Sequence, residues 1–364
     1  MNRSKYTYKY VYPLIKYGII KDVNTELYST ERLPLLHIAV SNCDERLVDC
    51  LLNNGADTNV NIWESGTPLH LAVAMENLEI TKRLIKFGVN VNAQTLVNPW
   101  FIPLHTAILK NNTEIAEFLI KNGADVNFEL EVDNPRYRGK TMLNLAIFKG
   151  HEEMVKLLLK HKADPNILTP GHGSSLAVAA RTKNVAIMKL LLAYGADINY
   201  APSSKSNYLT PLNMAIIKQD LKAVDLLLNN NMININPATQ QTLPVLHVGV
   251  IFITNCCIIQ RLLDAGVDVN LEAGGQTVLD PVTVYRPNAV RQHVQYIIKK
   301  HIVKLRAANF YVSKKNLAAV DSKDLKDLHN QCIIEIEQMK KINIGLSNLT
   351  FYDVLHKSRH DTPE

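Results

Sequence analysis

The stretch Gly66-Thr67-Pro68-Leu69-His70-Leu71-Ala72, running on to Leu84-Ile85-Lys86-Phe87-Gly88-Val89-Asn90-Val91-Asn92, reads as one complete unit of structure. Thr67-Pro68 suits a helix start, because proline has a preset φ and lacks an N–H that the first turn would leave unpaired anyway. Leu69, Leu71 and Ala72 follow at helical spacing, and Ile80, Leu84 and Ile85 form the apolar stripe of a second helix. Gly88 supplies the left-handed position that ends it. A single helix pair of this size cannot bury its own apolar face, so the unit needs neighbours.

The chain supplies them. Leu69 aligns with Leu36, Leu104, Leu143, Leu176, Leu212, Leu246 and Leu279, at successive gaps of 33, 35, 39, 33, 36, 34 and 33 residues. Three positions after each leucine stands a small residue (Ala39, Ala72, Ala107, Ala146, Ala179, Ala215, Gly249), until Val282 breaks the series. Close packing of one helix on the next requires a small side chain there. Second-helix ends recur as Asn54-Gly55-Ala56-Asp57, Asn122-Gly123-Ala124-Asp125, Tyr194-Gly195-Ala196-Asp197 and Ala265-Gly266-Val267-Asp268.

A period near 33 residues, built as a turn and two helices, is the ankyrin signature, and residues 32–282 strongly resemble that family. The resemblance implies an all-α solenoid of about seven helix-turn-helix repeats with caps. Residues 1–31 carry a half repeat, Leu14-Ile15-Lys16-Tyr17-Gly18, preceded by Tyr6, Tyr8, Tyr10 and Tyr12, and read as an N-terminal cap. In the eighth copy Pro281 falls inside the first helix, so that helix should be short or bent and stacking should end there. Two other copies depart from the pattern. The sixth ends in Asn229-Asn230-Asn231, where asparagine is expected to take the left-handed conformation, and the fourth ends in His161-Lys162, a weaker cap. The connection from Phe128 to Lys140 carries about six extra residues, which map to a loop.

Composition bounds the rest. The 364 residues carry a net charge of +6, yet residues 1–282 hold 26 basic and 26 acidic side chains, and residues 283–364 hold 14 and 8. That asymmetry marks a basic C-terminal segment beginning near residue 283. Acids are interspersed in it, so nucleic acid is not the expected partner. Cys43, Cys50, Cys256, Cys257 and Cys332 form no CxxC pair and read as free thiols of a reducing compartment. The start lacks a secretory core, and the longest apolar run, Val248 to Ile253, is too short for a bilayer. A cytoplasmic protein is expected, with the nucleus or a host cell as further settings, and with no membrane partner.

Helical patterning continues beyond residue 283. Ala289 to Arg306 places Val or Ile at 290, 294, 297, 298, 302 and 303, and a helix from Ser322 to Lys341 aligns Leu325, Leu328, Cys332, Ile336 and Met339 on one face. A last short helix is expected from Thr350 through Leu355. Ala307-Ala308-Asn309-Phe310-Tyr311-Val312, Cys332-Ile333-Ile334-Glu335-Ile336 and Phe351-Tyr352-Asp353-Val354-Leu355 resemble the start of a PRANC domain, over roughly residues 295–358. That domain follows ankyrin repeats in poxviral proteins and related bacterial and insect ones. The resemblance implies an F-box-like element that docks the adaptor subunit of a cullin-based ubiquitin ligase. The family's docking part carries a Leu-Pro-x-Glu-type motif; none precedes Glu364, so the segment resembles the linker half more than the docking half.

No catalytic, cofactor or metal site is expected. His37, His70, His105 and His247 share one repeat position with Asn144 and Asn213, and a polar group bonded to the adjoining turn explains both residue types. Stacking would hold these histidines a repeat apart, too far to share a metal. His151 opens a second helix, Cys256-Cys257 lies among helix residues, and no hydrolase, zincin or nucleotide motif appears.

Partner binding is the expected function. By resemblance, targets touch the fingers before each Thr-Pro-Leu-like motif and the concave face of the first helices. The fingers hold aromatics: Trp63, Trp100 with Phe101, Tyr137 in the long insertion and Tyr208. Such residues dominate interface energies. Trp63 and Trp100 packing on each other or on the neighbouring finger is the competing reading. Two successive first-helix positions form a second stripe: Leu109, Phe148, Arg181, Ile217 and Ile251, then Met75, Lys110, Lys149, Lys218 and Phe252. This stripe suggests a groove for an amphipathic or acidic segment, unless the C-terminal helices fold into it. The expected protein is an adaptor whose repeats select a target and whose C-terminus engages ligase machinery. The alternative is a stoichiometric blocker or effector that masks its partner without ubiquitin transfer.

Overall fold

The computed structural model describes residues 11–20, 22–24, 33–63, 65–96, 101–129, 141–167, 173–200, 210–236, 243–252, 256–280, 289–320 and 323–339. They form eighteen helices and, apart from isolated bridges, no strand. The all-α ankyrin-repeat class expected from the period is therefore the observed one. The chain divides into two compact units, Met1–Asp197 and Ile198–Glu364.

The first unit opens with a half repeat, α1 (Val11–Lys16), and continues in five helix pairs. These are α2 (Leu35–Ser41) with α3 (Glu45–Asn53), α4 (Pro68–Ala74) with α5 (Leu78–Lys86), and α6 (Pro103–Lys110) with α7 (Thr113–Lys121). Then come α8 (Met142–Lys149) with α9 (Glu152–Lys160) and α10 (Ser175–Thr182) with α11 (Val185–Ala193). First helices pack on first helices and second on second, so two rows form. The small residue of the period stands at the contact: Ala39, Ala72, Ala107, Ala146 and Ala179 are all fully buried. Val11 and Ile15 of α1 are buried, while Tyr12 remains exposed; Tyr6, Tyr8 and Tyr10 lie outside the described residues.

Sequence explains the helix boundaries. Second helices start at Asp44, Asn77, Asn112 and Asn184, whose side chains accept from the backbone N–H three residues on at 2.9–3.0 Å. First helices end one or two residues before a left-handed turn occupied by Cys43, Glu76, Asn111, Gly150 or Lys183. The fourth pair closes with Lys162 in the left-handed region, where the other complete pairs of this unit use glycine.

A side-chain ladder ties the repeats together along their exit loops. Asn24 Oδ1 accepts from Asp57 N–H at 2.8 Å, Asn59 from Asn90 at 2.8 Å, Asn92 from Asp125 at 2.9 Å, Asn127 from Asp164 at 2.9 Å and Asn166 from Asp197 at 2.8 Å. Four of these N–H donors, Asp57, Asn90, Asp125 and Asp164, then turn their own carboxylate or amide oxygen onto the N–H two residues later.

The second unit pairs α12 (Pro211–Ile217) with α13 (Leu221–Leu228) and α14 (Val245–Phe252) with α15 (Cys256–Asp264), then adds α16 (Ala289–Ala307), α17 (Lys314–Ala319) and α18 (Lys323–Met339). Its ladder has three rungs: Asn199 to Asn234 at 2.7 Å, Asn236 to Asp268 at 2.8 Å, and Asn270 to Ser313 at 2.9 Å. The last rung is informative. Stacking was expected to end near Pro281, but α16 packs on α15 in the place of another second helix, and Asn309 takes the left-handed position after it. Of the apolar set read from the sequence, Val294, Ile298, Ile302 and Val303 supply the buried face and Ile297 is half buried; the Val290 side chain lies outside the described residues. Of the eighth copy's own first helix the described part, Gln276–Asp280, forms only turns, with the Asp280 carboxylate accepting from Thr277 N–H. Asn316, wholly buried, closes the ladder by donating to Val269 O at 2.9 Å.

Helix α18 lies on α16 through Leu325, Cys332 and Ile336, with Leu328 half buried, as the heptad-like spacing predicts. The Met339 side chain and residues 350–355 lie outside the described residues. One local expectation fails. None of Asn229, Asn230 and Asn231 takes a positive φ; instead Asn230 Oδ1 accepts from Met232 N–H at 2.9 Å and turns the chain by a side-chain bond.

Candidate functional site

The fingers are built around the shared polar position. Ile62 and Gly66 exchange both backbone hydrogen bonds at 3.0 Å, closing a short hairpin. His37 Nε2–H donates to Gly66 O at 3.0 Å, so the first helix of one repeat holds the finger leading to the next. His70 does the same to Phe101 O at 2.9 Å, and in the second unit Asn213 and His247 do so to Leu243 O and Gln276 O at 3.1 Å. A carbonyl only accepts, so each ring nitrogen facing it carries the proton. Gly66 has φ +69° and an added Cβ would lie 2.9 Å from His70 Cγ and 3.0 Å from Thr95 Cγ2, so no side chain fits.

Burial keeps these imidazoles neutral. It lowers His70 to about 4 and His105 to about 3, the latter helped by the neighbouring His70, against backbone hydrogen bonds that act the other way. His37 and His247 are lowered for the same first reason. Among the described residues no three His, Cys, Asp or Glu side chains converge on a metal-sized site.

What the first finger presents is Trp63, with 70% of its surface exposed. The next finger is tied to the first by Asn61 Nδ2 donating to Gln94 O at 2.7 Å, and it exposes Leu96. Phe101 turns inward: it is half buried, its ring centroid lies 5.2 Å from that of His105, and its backbone bonds Thr95. Trp100, Tyr137 and Tyr208 lie outside the described residues.

The first-helix stripe separates into two levels. Leu109, Phe148, Arg181 and Ile217 are half buried, as is Lys218, whereas Met75, Lys110 and Lys149 are exposed. Arg181 sits 4.7 Å over the Phe148 ring. Sequence reasoning passed over Lys183, exposed at the left-handed position after α10, because glycine is the familiar residue there. It also passed over Leu96, a lone leucine in a loop. At the C-terminus, Ile333 and Ile334 are 41% and 59% exposed on the face of α18 turned away from α16.

A repeat scaffold that presents exposed apolar and cationic side chains, with its buried polar groups tied to its own backbone, belongs to the class of protein-interaction modules. The chain belongs to the ankyrin-repeat family: a family model described as "Ankyrin repeats (3 copies)" matches residues 36–129, 128–202 and 176–273. Among curated relatives, the fowlpox virus ankyrin repeat protein FPV031 is 30% identical over 196 residues, 51% of this chain and 55% of the viral one. FPV230 of the same virus is 28% identical over 50% of this chain and 91% of its own length. A mouse ankyrin repeat and MYND domain-containing protein is 33% identical over 45% of this chain and 19% of its own. The chain thus spans about half of the first viral relative and a fifth of the mouse protein. Its repeats serve protein–protein interaction. Among the described residues no helix is long and apolar enough to cross a membrane.

Proposed function

We propose that this chain is a non-enzymatic adaptor: the repeats hold a target protein by their fingers and first helices, and the C-terminal segment engages a second partner. The observation that carries the first half is Trp63, a large aromatic set on a hydrogen-bonded finger and left exposed. Met75, Lys110 and Lys149, with Phe148 and Arg181 beneath them, extend the contact along the first-helix row. Affinity purification of the full chain and of Trp63→Ala tests this half. The variant should lose most of the recovered target at unchanged helical circular dichroism, and equal recovery contradicts it.

The second half rests on the resemblance of residues 295–358 to a PRANC domain, and the exposed Ile333 and Ile334 offer α18 as the contact. The partner would then be the adaptor subunit of a cullin-type ubiquitin ligase. Deleting residues 295–364 would also remove Ile298 and Ile302, which are buried in the second unit. The cleaner test is Ile333→Asp with Ile334→Asp, which should abolish co-purification of cullin-ligase subunits while the target is still recovered. If the intact chain recovers its target and no ligase subunit, the protein is a blocker that masks its partner.

A further inference from the structure

In the helices of the first unit every Asp and Glu lies on a second helix. Three cations of the second helices have acidic partners: Lys82 with Glu79 at 2.7 Å, Arg83 with Glu45 at 2.6 Å and Asp49 at 3.1 Å, and Lys121 with Glu117 at 2.8 Å. Lys86, Lys156, Lys160 and Lys189 form no ion pair among the described residues but share their helices or those adjoining with acids. The first helices of the third to fifth repeats and the two residues after each (103–112, 142–151 and 175–184) contain no Asp or Glu. Two carboxylates that border them, Glu76 and Glu152, accept from Asn112 Nδ2 at 3.3 Å and Asn184 Nδ2 at 3.2 Å. Lys110 and Lys149, at matching final positions of α6 and α8, and Lys183, one residue past the end of α10, are exposed and make no ion pair among the described residues. Arg181 joins them over Phe148. Like charges left in a row repel one another, and their fields add where they lie within about a Debye length, roughly 8 Å at physiological salt. The apolar members of the stripe, Leu109 and Phe148, are already half covered, which leaves the cations as the outermost layer.

Taking the repeats as a partner-holding surface, we infer that the first-helix row of the third to fifth repeats takes an extended acidic segment of the partner, with carboxylates facing Lys110, Lys149 and Lys183. An apolar helix is not the occupant this layer fits. Packed helices lie about 8–10 Å apart, and a chain extended in the polyproline II conformation advances about 3.1 Å per residue with every third side chain on one face, so one carboxylate in every three residues matches one cation per repeat. Intervening aliphatic residues reach Phe148.

The test uses the full chain and fluorescence anisotropy. The probe is a fluorescein-labelled peptide with glutamate at every third position and leucine and serine between; its counterpart has lysine for glutamate. The acidic peptide should bind at least tenfold more tightly than the lysine one, and weaken as salt is raised. Lys110→Glu with Lys149→Glu and Lys183→Glu should cost at least a further tenfold without altering circular dichroism. Equal binding of the two peptides, or an unchanged affinity in the triple variant, overturns the inference. So does a single-stranded oligonucleotide that binds this row more tightly than the acidic peptide. If the peptides fail while Trp63-dependent recovery of a cellular target persists, the inference falls and the adaptor reading stands; loss of both removes the adaptor reading as well.

Discussion

His70 donates through Nε2 to the carbonyl of Phe101 at 2.9 Å, while its Nδ1 accepts from the Thr67 backbone at 3.2 Å. One imidazole therefore caps its own helix and holds the next finger, and it does so only when neutral. With a folded pKa of about 4 against an ordinary 6.5, the unfolded chain binds the proton first. The stability this site contributes is complete above pH 6.5 and is lost as pH falls towards 4, at up to about 1.4 kcal/mol per pH unit. Urea titrations from pH 7.5 to 4 should show this slope, and His70→Asn, which copies the residue at Asn144 and Asn213, should reduce it to the share of His37, His105 and His247, which burial lowers as well.

Cys43 occupies a left-handed turn with φ +53° that costs a residue with a Cβ about 1–2 kcal/mol. Cys43→Gly should raise stability by up to about 1 kcal/mol once the entropy of glycine is deducted, and the melting temperature with it. Gly66→Ala should act in the opposite direction by more than about 1 kcal/mol, since the new methyl meets His70 and Thr95. Thermal unfolding of both variants reads the two signs directly.

Leu143 is 1% exposed in the first row, and Leu143→Ala should cost about 2–5 kcal/mol. Because each repeat touches only its neighbours, the loss should appear in hydrogen exchange as local opening around α8 and α9.

Asn270 joins α16 and α17 to the repeats by accepting from Ser313 and donating to Tyr311 O at 3.2 Å. Asn270→Ala should cost about 1–3 kcal/mol for the two lost bonds. Amide protection should drop across residues 289–320, with α12 and α13 little affected.

The period of 33 residues made the fold legible, because the same packing problem is solved at the same positions in every copy. The role of His37, His70 and Asn213 was legible too, since two side chains sharing only hydrogen-bonding capacity alternate at one site. Two features resisted the sequence. The stack continues past Pro281 because Asn270 and Asn316 make the needed bonds from outside the repeat motif. The exposure of Trp63 against the inward turn of Phe101 depends on which side of a hairpin each residue takes, and no periodicity encodes that in a loop.

The central claim is that a partner sits on the fingers and first helices. Photo-crosslinking in cells tests it most directly, with benzoylphenylalanine placed at Trp63, at Lys149 and at Lys156, an exposed second-helix control. The account predicts adducts with the same partner from positions 63 and 149 and none from 156. Adducts from 156 alone, or from none of the three while the intact chain still recovers a partner, would contradict it.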